Sequence, residues 1–363
     1  MKQKSIALVI YSLHEGGAEK VASELSIYFA QSGHYVVVIV FDGQHRVYVH
    51  GGQLINLNVP SAASGSLFSR FRFLLKRSLR LRHIFRQHSF DLIIAVMESA
   101  GFASVLASRD TIIANHCNPD ENFSGVEWWL AGRLFPLARK VVTVSKQGQA
   151  IFAKRLGLRN LLTIYNPVAH QRIHDAAQEP LPVTRLRPYM VAIGRLERVK
   201  RFDILLDAYA RSIARQRLDL VILGQGSLRD SLQQQIDRLG LSGQVLLAGH
   251  VRNPYSYLQQ ACFTVLSSDH EGFPVVLIES LSLGCPVIST DCPTGPNEII
   301  RHEQNGLLVP VRGTAALAEA MDRLVTDEKL YRHLSAHAAV SVEDLDIAVI
   351  AEQWLALCKD DRR

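Results

Sequence analysis

Apolar runs of strand length alternate with amphipathic stretches of helical spacing from one end of this chain to the other. Residues 4–13 form a short apolar run that predicts a strand, and residues 18–32 follow with helical spacing up to Gly33, a suitable stop just past a helix end. Residues 91–108 carry Glu98 and Gly101 and divide into a strand and a helix, and the β-like run 111–114 leads to His116. The second half repeats the scheme. The run VAI ends at Gly194 before a helix over FDILLDAYARSI, LDLVIL leads through a glycine turn into another helix, and ACFTVLS passes through the polar loop SDHEGFP into an apolar helix. A last helix is expected over 347–357. This alternation predicts an α/β fold of doubly wound sheets, and the lack of a short-period repeat excludes a solenoid. At 363 residues the chain suits two such domains, each large enough to bury a core. The proline-containing stretch 169–187 is the expected linker, which separates a first domain over 1–168 from a second over 188–345 and a terminal segment over 346–363.

Glu271 and Glu279, with seven residues between them, concentrate the candidate chemistry. Glu271 falls in the polar loop and Glu279 about two turns into the following helix, aimed back toward the same ligand. A loop that opens a helix points backbone N–H groups at a ligand, and an ionised carboxylate accepts well from paired sugar hydroxyls. An ordinary amphipathic helix with one loop Glu has the same spacing. Gly272, Phe273 and Pro274 between the two acids, and the small-residue run 282–286, favour a shaped backbone over a filled core. Arg195 and Lys200 stand five residues apart across a strand-to-helix loop. They can converge on one diphosphate, or else be two solvated cations. Gly224 and Gly226 lack the third glycine of a dinucleotide fingerprint, because Arg229 occupies its place, so no nicotinamide site is expected. In the first half, Gly16 and Gly17 at a strand-to-helix junction let a backbone approach a ligand closely, although a plain turn has the same form.

These stretches resemble the retaining, nucleotide-sugar-dependent glycosyltransferases of the two-domain GT-B fold, the glycogen-synthase-like superfamily of glycosyltransferase family 4 type. The resemblance rests on the Glu271 to Glu279 block with its SLGCPVIST tail, on VAIGRLERVK, on GHVRNPYSYLQQA and on DCPTGPNEII, and it covers essentially the whole chain. Thr294, Gly295 and Pro296 stand where many relatives carry two glycines, a form similar to the subgroup that builds lipid-linked oligosaccharides in bacterial envelopes. The resemblance implies two Rossmann-like domains facing a central cleft, the first on the acceptor side and the second holding the nucleotide sugar. It implies that Arg195 and Lys200 stabilise the departing diphosphate, that Glu271 with Gly272, Phe273 and Pro274 holds the sugar hydroxyls, and that Glu279 holds the ribose. Gly194 and Gly224 would line the nucleotide, Gly16 and Gly17 would lie beneath the donor diphosphate, and His116 would hydrogen-bond the transferred sugar. Runs 141–146 and 162–168 match the last strands of the first domain, and the terminal helix would cross back to that domain. No metal and no cofactor is implied: cations and N–H dipoles meet the developing charge, and the leaving phosphate oxygen takes the proton of the incoming hydroxyl. The implied reaction moves a hexose or N-acetylhexosamine from a nucleotide diphosphate sugar, with UDP expected, to a membrane lipid-linked saccharide in envelope polysaccharide, O-antigen or glycan assembly. A sugar-nucleotide 2-epimerase of similar fold, or a transferase with a soluble acceptor, is the alternative.

Charge adds a partner. Residues 1–166 carry a net +9 and the remainder −3, and no acidic residue occurs between Asp42 and Asp91. Residues 69–86 hold seven cations among eight large apolar side chains. Phe71, Leu74, Leu75, Leu81 and Phe85 fall near one helical face, which Phe73 and Leu79 blur. Such a helix fits an anionic membrane surface, or else packs as scaffold with solvated cations. Nucleic acid is not an expected partner, because no recognition module accompanies the helix. No cleavage pattern follows the first apolar run and no stretch of 18 residues is uniformly apolar, so the expected place is cytoplasmic, peripheral on the inner face of the membrane. Five cysteines without framework spacing suggest free thiols in a reducing compartment. Cys285 and Cys292 read as buried small residues, and the consecutive Asp269, His270 and Glu271 do not converge on one ion.

Overall fold

The computed structural model describes residues 2–44, 47–59, 67–181 and 187–359, so part of the expected linker, 182–186, and the last residues, 360–363, lie outside the described residues. The chain forms two compact units, Met1–Pro167 with Ile347–Arg363, and Val168–Asp346. Unit 1 contains a seven-stranded parallel sheet of β1 (Ser5–Ile10), β2 (Tyr35–Val40), β3 (Gln53–Asn56), β4 (Leu92–Val96), β5 (Thr111–Asn115), β6 (Lys140–Thr143) and β7 (Leu161–Thr163). Its order is β3-β2-β1-β4-β5-β6-β7. The connections carry α1 (Gly17–Gln31), α2 (Leu67–Gln87), α3 (Glu98–Ala107), α4 (Pro119–Asn122), α5 (Gly125–Leu134) and α6 (Lys146–Leu156). Strands such as SIALVI and LIIAV are almost wholly buried, as continuous apolar runs must be when helices cover both faces of a parallel sheet. One face of α1 buries Val21, Leu25 and Phe29, and Gly33 beyond its end has φ +84°, a conformation glycine adopts without strain.

Unit 2 begins with α7 (His170–Ala177), a helix inside the stretch expected to be linker. Its six-stranded parallel sheet is built from β8 (Tyr189–Ile193), β9 (Asp219–Leu223), β10 (Val245–Gly249), β11 (Thr264–Leu266), β12 (Val287–Thr290) and β13 (Gly306–Val309), in the order β10-β9-β8-β11-β12-β13. Between and after them lie α8 (Phe202–Arg211), α9 (Arg229–Arg238), α10 (Tyr255–Gln260), α11 (Val275–Ser282), α12 (Pro296–Ile299), α13 (Thr314–Thr326) and α14 (Glu328–Ala338). The chain then returns to unit 1 through α15 (Ile347–Leu355), which buries Ile350, Ala351 and Trp354 and packs on α1. Strand order reverses between β1 and β4 in unit 1, and between β8 and β11 in unit 2. In open parallel sheets, the carboxyl ends of strands at such a reversal are where ligands bind.

The apolar face expected in the basic helix α2 is divided between the core and the surface. Leu81 and Ile84 are buried, while Phe73, Leu74 and Phe85 pack against the adjoining core. Arg77 is buried with them: its guanidinium lies 4.5 Å from the Phe41 ring centroid and 5.2 Å from that of Tyr11, and its Nε donates to Val59 O at 3.0 Å. Arg80 donates to Leu57 O. Phe71, Leu75 and Leu79 are exposed instead, by 55%, 42% and 67%. The ring faces of Tyr11 and Phe41 offer a cation a favourable seat, which turns Arg77 inward and the Phe71 row outward.

Candidate functional site

The loops that follow β8 and β11 meet at the reversal point of the second sheet. Lys200 ends a short 3-10 turn (Arg198–Lys200), and its Nζ lies 2.6 Å from Glu271 Oε1. Ser268 Oγ donates to the same oxygen at 2.6 Å. Backbone and hydroxyl groups lock the two loops together: Ser267 Oγ donates to Lys200 O at 2.7 Å, and Asp269 N to Val199 O at 2.8 Å. A third segment closes on them, with Glu271 N donating to Pro293 O at 2.8 Å and Thr294 Oγ1 donating to Glu271 O and Gly272 O at 2.9 and 2.8 Å. Gly295, at φ +94°, could not carry a side chain there, because a Cβ would stand 2.9 Å from Gly272 O and from Phe273 Cα.

Asp269 is fully committed. Arg312 grips it through two bonds of 2.9 Å, Arg201 adds contacts of 3.3 Å, and Arg201 in turn bonds Asp203 at 2.8 Å. Arg312 and then Arg201 hold the Asp269 carboxyl below its usual range, against the opposing effect of burial. Arg195 is exposed. Glu279 is the fifth residue of α11, hence one turn into the helix rather than about two, and it is buried, accepting from Tyr255 Oη at 3.3 Å. Phe273 is buried as well. No side chain caps the start of α11. Gly194 and Gly224 bring two loops into close backbone contact: Gly194 N donates to Leu223 O at 3.0 Å, and a Cβ on Gly224 would collide with Gly194 O.

In unit 1, Gly16 and Gly17 connect β1 to α1, and Gly16 O accepts from Lys20 N at 3.0 Å. A Cβ on Gly16 would meet the carboxyl end of the Glu19 side chain rather than backbone, so backbone packing alone does not demand glycine there. His116 follows β5. Burial pulls its imidazole down to about 4, with a hydrogen bond between the ring and the Asn166 side chain working the other way. The ring is therefore neutral at pH 7.

A family model for glycosyltransferase family 4 matches residues 15–172, and one for glycosyl transferases group 1 matches residues 176–340. The chain belongs to these glycosyltransferases. The enzyme is 26% identical, over 366 residues, to the N-acetylgalactosamine-N,N'-diacetylbacillosaminyl-diphospho-undecaprenol 4-alpha-N-acetylgalactosaminyltransferase of Campylobacter jejuni, covering 97% of this chain and 98% of the relative. It is 23% identical, over 359 residues, to the amylovoran biosynthesis glycosyltransferase AmsD of Erwinia amylovora, with 97% and 98% covered. Among solved structures it resembles Anabaena Alr3699/HepE in complex with UDP and glucose, with a TM-score of 0.78 at 21% identity over 98% of this chain and 99% of that one. The fold of the glycosyltransferase is GT-B, as its two parallel sheets and these neighbours require.

Of the residues singled out in the sequence, the structure joins Lys200 directly to Glu271 and sets Gly272, Phe273 and Pro274 beside them. Gly194 lies against Lys200, whose Cε would be 3.2 Å from a Cβ at that position. Sequence reasoning missed Ser268, Arg312, Arg201 and Asp203, and it named Thr294 and Asp269 without the contacts they make here. Of the missed residues, Arg201 adjoins Lys200 and Ser268 adjoins Asp269 in the sequence.

Proposed function

We propose that this glycosyltransferase moves a hexose or N-acetylhexosamine from a UDP-sugar to a lipid-linked saccharide, with retention at the anomeric carbon. The observation that carries the reading is the Lys200 to Glu271 pair at 2.6 Å, a cation and a hydroxyl acceptor held together at the carboxyl ends of β8 and β11. In this reading Lys200 and Arg195 neutralise the departing diphosphate, since preorganised charge acts where charge develops. Glu271 and the backbone of Gly272, Phe273 and Pro274 hold the sugar, Glu279 holds the ribose, and Gly194 and Gly224 line the nucleotide. Gly16 and Gly17 serve the diphosphate from unit 1, and His116 offers a neutral ring to the transferred sugar. The incoming hydroxyl attacks from the leaving group's face and gives its proton to the phosphate oxygen. The UDP in the Anabaena structure supports the donor, and the diphospho-undecaprenol in the Campylobacter relative's name supports the acceptor. Envelope polysaccharide assembly is the setting that the Erwinia relative supports.

The enzyme works at the inner face of the cytoplasmic membrane, held there through α2. Phe71, Leu75 and Leu79 form one exposed row at four-residue spacing, and Arg82 and Arg86 extend that face while Arg72 and Lys76 flank it. Apolar side chains flanked by cations suit an anionic lipid surface. Among the described residues, no helix is long and apolar enough to cross a membrane. Thermal-shift screening of UDP-, GDP- and dTDP-sugars tests the donor: a UDP-sugar should raise the midpoint most, because a ligand of the folded state stabilises it by mass action. Equal response to all three classes would overturn the assignment.

A further inference from the structure

Glu279 is 5% exposed and sits in the apolar run of α11, between the buried Ile278 and Ser280. The helix fixes where this side chain starts and which way it leaves the backbone. The last torsion of a glutamate is broad, however, so the plane of the carboxylate is set by the groups that bind it. The Tyr255 hydroxyl is one such group, donating to Glu279 Oε1 at 3.3 Å. Tyr255 is the first residue of α10 and is held from behind: its N–H donates to Asn253 Oδ1 at 3.0 Å, while Asn253 Nδ2 donates to Ala176 O at 2.7 Å and to Glu179 Oε2 at 2.9 Å. Ser256, Tyr257 and Leu258 after it are buried, and Tyr189 Oη donates to Tyr257 O at 2.9 Å. Tyr255 is thus anchored on the end of α7 and on the sheet side of α10, all within unit 2, and from there its hydroxyl reaches α11.

The chemistry of the contact suits a carboxylate that must meet two hydroxyls at once. An ionised carboxylate is acceptor-only, with several lone-pair positions on its two oxygens. Tyr255 occupies one position on Oε1, and a phenol does so without bringing a positive charge that would neutralise the acceptor. A ribose presents its hydroxyls in a fixed pair, so both bonds form well only when the carboxylate already lies in the matching plane. We propose that Tyr255 is a positioning residue, which holds the Glu279 carboxylate in the plane that accepts both hydroxyls of the donor's ribose; this rests on the ribose role given to Glu279 in the preceding section. Tyr255 thereby sets how strongly the enzyme prefers a nucleotide that carries those hydroxyls over one that lacks them.

Tyr255→Phe and Glu279→Ala are compared with the parent by calorimetric titration with UDP and with dideoxy-UDP, which lacks both ribose hydroxyls. The parent should bind UDP about tenfold or more tightly than dideoxy-UDP, the worth of a hydrogen bond to a charged group. Glu279→Ala should bind the two nucleotides alike. Tyr255→Phe should lose most of the preference through weaker UDP binding, with dideoxy-UDP held within about twofold of the parent. A fraction of unfolded protein would lower both affinities together, so the ratio of the two reports on the hydroxyls and not on general damage. Tyr255→Phe that keeps the parent's ratio, or that weakens both nucleotides equally, would overturn the positioning role; the ribose role of Glu279 then still stands if Glu279→Ala abolishes the preference. A parent without a preference for UDP, or Glu279→Ala with the parent's ratio, would overturn the ribose role and the positioning role with it.

Discussion

Lys200 carries two duties in this account, and the duties can be separated. As partner of a carboxylate that is 12% exposed, it supports the fold; as a charge at the departing diphosphate, it supports turnover. Lys200→Ala should lower kcat by on the order of a hundredfold or more, the usual effect of removing an electrostatic stabiliser. The same variant leaves Glu271 with Ser268 as hydrogen-bond partner and loses about 1–3 kcal/mol of stability. Lys200→Met with Glu271→Gln should recover the stability without the turnover, as read by denaturant unfolding and initial rates. Glu279→Ala should chiefly weaken nucleotide binding and Glu271→Ala chiefly turnover; equal loss of UDP affinity in both would contradict their separate roles. His116 gives a pH prediction. Its folded pKa is lowered from 6.5 to about 4, so between those values the unfolded chain binds more protons and stability rises with pH. The parent should therefore lose stability on acidification from pH 6.5 to 4, on the order of 3 kcal/mol, and His116→Gln should lose less. These residues were legible in the sequence because each stands in a local pattern of loop and helix. The contact between Lys200 and Glu271, 71 positions apart, was not, because it depends on β8 and β11 being neighbours across a crossover. The same holds for Arg312 and Asp269.

At the scale of elements, α2 shows how far periodicity reaches. Its existence, length and basic character follow from the sequence, but eight large apolar residues spread over more than one face leave its rotation undecided. The seat for Arg77 on the rings of Tyr11 and Phe41 comes from the residues just past β1 and β2, which no local pattern of α2 encodes. Two sets of variants divide the helix accordingly. Gln at Arg72, Lys76, Arg82 and Arg86 should release the protein from anionic liposomes while leaving UDP binding intact, since each cation near such a surface adds about 1 kcal/mol and salt weakens the attraction. Arg77→Gln should instead lower stability by about 1–3 kcal/mol with membrane binding little changed, because it removes a buried bond and a ring contact. Sedimentation with vesicles and thermal melting check the two outcomes. If the four-site variant sediments like the parent, the exposed row of Phe71, Leu75 and Leu79 is no membrane anchor.

For the whole molecule, the alternation of apolar runs predicts two wound sheets, and the two parallel sheets are present. Strand order was beyond the sequence pattern alone, since nothing in an apolar run says which neighbour it will take, and the reversal point that gathers the loops after β8 and β11 emerges only from that order. The account asks for no metal in catalysis: Asp269 is held by Arg312 and Arg201, and Glu271 by Lys200 and Ser268. Activity should therefore survive excess EDTA, and activity lost to EDTA and restored by manganese or magnesium would contradict that view. The most direct test of the central claim is the anomeric configuration of the product, read by NMR after incubation with a UDP-sugar and an undecaprenyl diphosphate saccharide. The account predicts free UDP only when the lipid saccharide is present, and a new glycosidic bond with the same anomeric configuration as the donor. An inverted linkage, or interconversion of the free nucleotide sugar without transfer, would contradict it.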